Sequence, residues 1–333
     1  MTAPGIEPTN GMAVVLGLMA TLVTTSCATP YGAPLVAAPE PVPTAESPVQ
    51  GKHTDHVIII SVDGLRPDAI RRFGARTLQR MVADGSHTFE ATTVKPSSTL
   101  PSHTSMLTGT DPETHGVGWN DERLETHGHV VTPTIFAAAK AAGFHTAAFF
   151  SKSKFQHLAV PGTLDYAQVP AGWPGKWLAD RTIDGVERYL ETERPNLLFV
   201  HVGEPDFAGH VFGWMSDPYG WAVRQADEEI GELLDAADEA FGAGAYTVLI
   251  TADHGGHGRG HGSEDPRDVT IPWIAWGKGV SPGVLLEPGI RTMDTAATAL
   301  WLLGVEQGPE SVGVAVTAAF VPVVGTVRVA ETP

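Results

Sequence analysis

The chain has 333 residues, of which 42% are hydrophobic, 8% aromatic and 18% charged, a composition that fits a globular protein and excludes a fibrous or wholly disordered one. Its 21 basic residues against 38 acidic ones leave a formal charge of −17, which repels phosphate backbones and argues against a nucleic-acid-binding surface. The single cysteine excludes an internal disulfide, and the length suits one large α/β domain as readily as two smaller ones.

Residues 1–27 read as a signal peptide. Within them, residues 12–23 (MAVVLGLMATLV) are an apolar run of 12, long enough for a signal-peptide core and too short for a hydrocarbon layer of about 30 Å. The segment Val23-Thr24-Thr25-Ser26-Cys27 resembles a bacterial lipoprotein processing site, which implies a lipid anchor through Cys27. Thr24 stands where such sites usually carry Leu, and no Lys or Arg precedes the run, so an ordinary cleaved leader competes with that reading. Both imply export, with the protein periplasmic or held at a bacterial membrane as a lipoprotein, and a mature chain without other cysteines suits that destination. Residues 28–52 are rich in Pro and Ala without helical or strand period and read as an extended linker. The folded domain is then 53–333.

In chain order, the domain opens with a β-branched run at 57–62 (VIIISV), the mark of a strand buried on both faces. Further strands are predicted at 146–150, 197–202, 247–251 and 273–276, and helices at 76–84, 133–142 (after Thr132), 180–193, 219–241 and 294–303. A short helix also begins at Thr99, with Pro101 in its first turn and a glycine stop after Leu107 and Thr108. Strands alternating with helices predict a three-layer α/β sandwich around a mostly parallel sheet, whose sites lie beyond the carboxyl ends of the strands.

Polar residues of one chemical kind gather at those ends. Asp63 follows the first strand in Ser61-Val62-Asp63-Gly64; Asp206 and His210 follow the strand at 197–202, four residues apart and so on one side of a helical turn; Asp253, His254, His257 and His261 follow the strand at 247–251 among glycines. Each has an ordinary explanation alone, as a turn residue, a helix-terminal acid or a surface histidine. Together, carboxylates this close would repel unless cations compensate them, and mixed histidine and carboxylate ligation suits zinc. Six ligands from these seven residues suggest two ions, the arrangement that clamps both sides of a displacement at phosphorus.

A nucleophile is expected among the hydroxyls of 92–110 (TTVKPSSTLPSHTSMLTGT). Thr99 reads most simply as a helix cap, but a hydroxyl there also sits where free N–H groups and the helix dipole stabilise an anion. Ser97 and Ser98 are local rivals that residue chemistry does not rank.

Asp63-Gly64, Thr99-Leu100-Pro101-Ser102-His103 with Thr108-Gly109, Pro112-Glu113-Thr114-His115-Gly116, Pro205-Asp206 to His210 and Asp253-His254-Gly255 together resemble the alkaline phosphatase superfamily, and within it the type I phosphodiesterase/nucleotide pyrophosphatase family. The resemblance runs over about residues 56–305. It implies an alkaline-phosphatase-like fold and a two-zinc phosphohydrolase that cleaves phosphodiester or nucleotide-type pyrophosphate bonds through a phosphothreonine on Thr99. Asp63, Asp253, His254 and the Thr99 oxygen would hold one zinc. Asp206, His210 and a later histidine would hold the other, and Asn120 would donate to a non-bridging phosphoryl oxygen. No histidine follows His261, so the late ligand is assigned to His261, with His257 as rival.

Lys152 and Lys154 follow the strand at 146–150 and suggest contact with an anionic part of the substrate, as in the similar Lys-x-Lys of phosphonoacetate hydrolases. A phosphomonoester or small phosphonate is therefore an alternative substrate, and phosphoryl transfer to an alcohol acceptor an alternative reaction. A cofactor-independent mutase would need an arginine set that Arg66 and Arg259 do not supply, and a non-catalytic binding module would have lost a ligand or the nucleophile. Trp119, Trp173, Trp177, Trp214 and Trp221 lie in loops or beside these motifs, as pocket or core residues. Nothing in the sequence sets an oligomeric state.

Overall fold

The computed structural model describes residues 52–171 and 178–322. The leader, Cys27, nearly all of the linker, Trp173 and Trp177 lie outside these residues.

The strands are β1 (Val57–Val62), β2 (Ser86–Thr92), β3 (Thr146–Phe149), β4 (Tyr166–Gln168), β5 (Leu197–Val202), β6 (Thr247–Thr251), β7 (Thr270–Gly277) and β8 (Val284–Leu285). They form one sheet in the order β4-β3-β5-β1-β6-β7-β2-β8. β7 runs antiparallel to both its neighbours, and the other pairings are parallel. Every residue of β1, β5 and β6 is buried, as their near-continuous apolar sequences predict.

The helices are α1 (Pro67–Arg72), α2 (Arg76–Asp84), α3 (Thr99–Thr108), α4 (Pro112–His115), α5 (Leu124–His127), α6 (Ile135–Ala141), α7 (Ala179–Leu190), α8 (Glu204–Phe212), α9 (Asp217–Phe241), α10 (Pro266–Val269) and α11 (Asp294–Leu303). α3, α6 and α11 pack on one another, while α1, α2, α7 and α8 each pack against the long α9. The two groups flank the sheet and give the three layers. Among the described residues no helix is long and apolar enough to cross a membrane.

Two helix starts differ from the sequence expectation. Thr134, not Thr132, caps α6 by accepting from the Ala137 N–H at 3.4 Å. Ser98 holds the cap position of α3, in extended backbone and without a side-chain cap bond, and Thr99 is the first helical residue. The glycine stop is as expected: Gly109 ends α3 at φ 73°.

The sheet register positions the site. Val62 pairs with Val202, and Ser61 with both His201 and Thr251, so Asp63 leaves β1 level with Gly203 and Asp253 on either side. Phe149 pairs with Val200, which brings Lys152 to the same edge.

Candidate two-metal active site

Gly64 lets these strand ends meet. Its φ is +70°, and a Cβ there would lie 3.0 Å from the Asp206 Cα and 3.1 Å from the Asp206 Cβ, so only glycine allows the chain after β1 to pass so close to α8. Asp206, in the first turn of α8, is thereby brought beside Asp63, with its N–H donating to the Asp63 carbonyl at 2.9 Å.

Six predicted ligands converge. The Asp206 Oδ1 lies 3.2 Å from the His210 Nε2 and 3.5 Å from the His261 Nε2, and those two nitrogens are 3.1 Å apart. The His254 Nε2 lies 3.5 Å from the Asp63 Oδ1 and 3.2 Å from the Asp253 Oδ2. One group that could hold an ion is Asp206, His210 and His261; a second joins Asp63, Asp206 and His254. His257 is not among them. It faces Asp268, with its Nδ1 2.7 Å from the Asp268 Oδ1, so the late histidine beside Asp206 is His261.

Hydrogen bonding fixes which atoms face inward. The Nδ1–H of His210 donates to the Arg259 carbonyl at 3.0 Å, that of His254 to the Gly255 carbonyl at 2.8 Å, and that of His261 to the Ser97 carbonyl at 2.8 Å. In the neutral ring each Nε2 then carries a lone pair, the state of a metal-ligating imidazole anchored from behind. Those lone pairs face carboxylate oxygens, acceptor against acceptor. The Asp63 Oδ1, Asp206 Oδ1, Asp253 Oδ2 and His254 Nε2 are buried without a hydrogen-bond partner. Unpartnered buried acceptors around one small volume fit divalent cations, and the mixed nitrogen and oxygen donor set suits zinc.

The electrostatics agree. Burial alone would raise the Asp63 carboxyl, but the Lys152 ammonium and the His201 ring hold it well below the usual range. Burial and the Asp63 charge also oppose ionisation of Asp206, which the Lys152 ammonium keeps low. Asp253 is pushed well up, by burial and then by Asp63. Burial and the neighbouring His254 bring His261 down to about 4, so it is neutral at neutral pH. The pocket thus holds more carboxylate than Lys152 alone can balance.

Thr99 is buried at the start of α3. Asn120 lies against the same helix end: its Oδ1 accepts from the Leu100 N–H at 2.9 Å and from the Lys154 Nζ at 3.1 Å. Burial, with Lys152 nearby, lowers the Lys154 ammonium to about 8. The two lysines expected together are used differently. The Lys152 Nζ is 2.6 Å from both the Asp63 Oδ2 and the Asp206 Oδ2 and is almost fully buried, whereas only Lys154 reaches Asn120.

Two histidines around the site, His201 and His103, were given no role from the sequence. The His201 Nε2 donates to the Asp63 Oδ2 at 2.9 Å, while its Nδ1 accepts from the Ser151 hydroxyl at 2.6 Å. The His103 Nδ1–H donates to the Thr99 carbonyl at 2.7 Å, and its Nε2 accepts from the Ser61 hydroxyl at 2.8 Å. Trp214, one of the five tryptophans noted above, is buried: its indole donates to the Gly64 carbonyl at 2.9 Å and meets His210 and His261 edge-on, with ring centroids 5.1 and 5.8 Å away. Trp221, in contrast, is 59% exposed.

Curated relatives are similar over somewhat more than three fifths of the chain. Mouse ectonucleotide pyrophosphatase/phosphodiesterase family member 1 is 24% identical over 250 residues, covering 65% of this chain and 25% of that protein. Mouse family member 7 is 26% identical over 232 residues, covering 63% of this chain and 51% of its own. The Xenopus laevis protein named bis(5'-adenosyl)-triphosphatase is 27% identical over 230 residues, 61% of this chain and 47% of its own. The chain therefore spans between about a quarter and a half of the length of these relatives. Among solved structures, murine ectonucleotide pyrophosphatase/phosphodiesterase 5 superposes with a TM-score of 0.64 at 15% identity, over 77% of this chain and 96% of that one. A 2-O GAG sulfatase gives 0.63 at 15% identity, over 80% and 74%. At that identity the likeness is one of fold, and it is the alkaline-phosphatase-like fold expected. Residues 57–258, well over half of the chain, match the family described as type I phosphodiesterase / nucleotide pyrophosphatase, and the chain belongs to that family.

Proposed function

We propose that this chain is a two-zinc phosphohydrolase that cleaves phosphodiester or nucleotide-type pyrophosphate bonds through a phosphothreonine on Thr99. The observation that carries the reading is the convergence of Asp63, Asp206, His210, Asp253, His254 and His261 at three adjacent strand ends. The names of the relatives, nucleotide pyrophosphatase/phosphodiesterase and adenosyl triphosphatase, support a nucleotide-like substrate.

Asp63, Asp253 and His254, with the Thr99 oxygen, would hold one ion, and Asp206, His210 and His261 the other. Bound there, the two ions would supply positive charge to the phosphoryl group and favour the ionised hydroxyl. Thr99 attacks phosphorus from the first turn of α3, where the helix dipole favours negative charge on its oxygen. The bond from phosphorus to the leaving oxygen breaks, and water then hydrolyses the phosphothreonine. Because the Asn120 Oδ1 already accepts from Leu100 and Lys154, its amide N–H2 is the end free to donate to a non-bridging oxygen. Lys154 adds a cation beside it.

The commitment of Lys152 to two carboxylates favours phosphate esters over the phosphonate alternative, which would need both lysines for the anionic end. Residues 1–27 act as the leader, Cys27 as its lipidation site and 28–52 as a linker, with the domain of 53–333 in the periplasm or at the membrane. A panel of diester, pyrophosphate, monoester and phosphonate substrates, assayed on zinc-loaded protein with an EDTA control, tests the reading. EDTA-sensitive turnover of diesters or pyrophosphates is expected; turnover that EDTA and Thr99→Ala both leave unchanged overturns it.

A further inference from the structure

The oxygens of Asp63 and Asp206 divide their work. One oxygen of each is taken: the Lys152 Nζ lies 2.6 Å from both Oδ2 atoms, and His201 donates to the Asp63 Oδ2 at 2.9 Å. The other oxygen of each, Oδ1, is buried without a hydrogen-bond partner and faces the histidine nitrogens. Lys152 therefore does not compete for the donor atoms that point at the ions. It sits behind them, joining an acid of one half-site to an acid of the other.

We propose that Lys152 is a built-in third cation of the site, a positioning residue that stays between Asp63 and Asp206 when both metal ions are bound and leaves one oxygen of each free for an ion. This rests on the two-metal reading above. It changes the role of Lys152 from a lysine that meets the substrate's anionic end to one that holds the two half-sites together. Lys152 makes this link from a strand that neither acid follows, so the spacing of the half-sites depends on the register of β3 against β5. It also lets two acidic side chains lie side by side before any ion arrives, since an ammonium shared at 2.6 Å offsets their repulsion.

The test is chemical labelling of lysines on the full chain, with and without Zn2+, read by peptide mass spectrometry, with bound zinc measured on the same samples. Lys95, 61% exposed at its side chain and paired with the exposed Glu264 at 3.0 Å, is the reference for a solvent-exposed amine. A lysine retained behind the ligands stays protected, with labelling changed by less than about twofold on zinc loading, because reaction requires local opening. A lysine displaced by the ions becomes reactive, rising about tenfold or more toward Lys95, and that result overturns the proposal. The outcomes separate the two claims: a chain that binds no zinc overturns the two-metal reading and this inference with it, whereas zinc uptake with newly labelled Lys152 overturns this inference alone. In a second measurement, metal-free Lys152→Met should melt lower than the parent, and Lys152→Arg, which keeps the charge, should recover part of the loss. An unchanged melting temperature in Lys152→Met also overturns the proposal.

Discussion

On the proposed two-ion reading, His261→Gln removes one of the three donors that would hold the second ion, while leaving the fold's core untouched. In the parent, the Asp206 Oδ1, the His210 Nε2 and the His261 Nε2 all lie within 3.5 Å of one another; in the variant only Asp206 and His210 remain. Loss of a supporting partner of a ligand typically costs 10- to 100-fold in metal affinity, and loss of a ligand itself costs at least that, so the affinity should fall by about two to three powers of ten, or roughly 3–4 kcal/mol. His257→Gln is the matched control. It breaks the 2.7 Å contact with Asp268 and so costs some stability, but removes no donor. Zinc titration against a competing chromogenic chelator, with elemental analysis after dialysis, reads both variants. Equal metal loss in the two, or full zinc retention in His261→Gln, refutes the assignment.

Two further predictions test how the fold supports the site. Gly64→Ala places a non-glycine residue at φ +70° and drives its Cβ to 3.0 Å from the Asp206 backbone; the left-handed conformation alone costs roughly 1–2 kcal/mol, so denaturant unfolding should show at least that loss together with weaker zinc binding. His115 is buried at the end of α4, accepts the Val117 N–H on Nδ1 at 3.1 Å and faces the Ser105 hydroxyl on Nε2 at 2.9 Å. Burial lowers it to about 4, against about 6.5 unfolded. The unfolded chain therefore binds the proton first, and stability present above about pH 6.5 is lost as pH falls toward 4. In His115→Gln the melting temperature should fall less steeply over that window.

How far the residues announced the structure depended on the range of the interactions involved. The apolar runs of β1, β5 and β6 could be read directly because strands buried on both faces need little but apolar side chains. β2 (SHTFEAT) escaped notice because it mixes buried small residues with partly exposed His87 and Phe89 and exposed Glu90 and Thr92. The short edge strands β4 and β8 gave too few residues for any period. At the site, Asp63, Asp206 and Asp253 stood out as acids just past apolar strands and next to glycines. His201 did not: inside LLFVHV it reads as one polar residue in a core strand, and its role depends on Asp63, 138 positions away. Lys152 was recognised as chemically significant, yet its partners are 89 and 54 positions distant, so nothing local to its loop could reveal that it turns inward.

The most direct measurement is to acid-quench the zinc-loaded chain during turnover of a phosphodiester and locate the covalent phosphate by peptide mass spectrometry. Phosphate on Thr99, absent in Thr99→Ala and in EDTA-treated protein, is the expected result. Sustained EDTA-sensitive turnover with phosphate on Ser97 or Ser98 would contradict the assignment of the nucleophile.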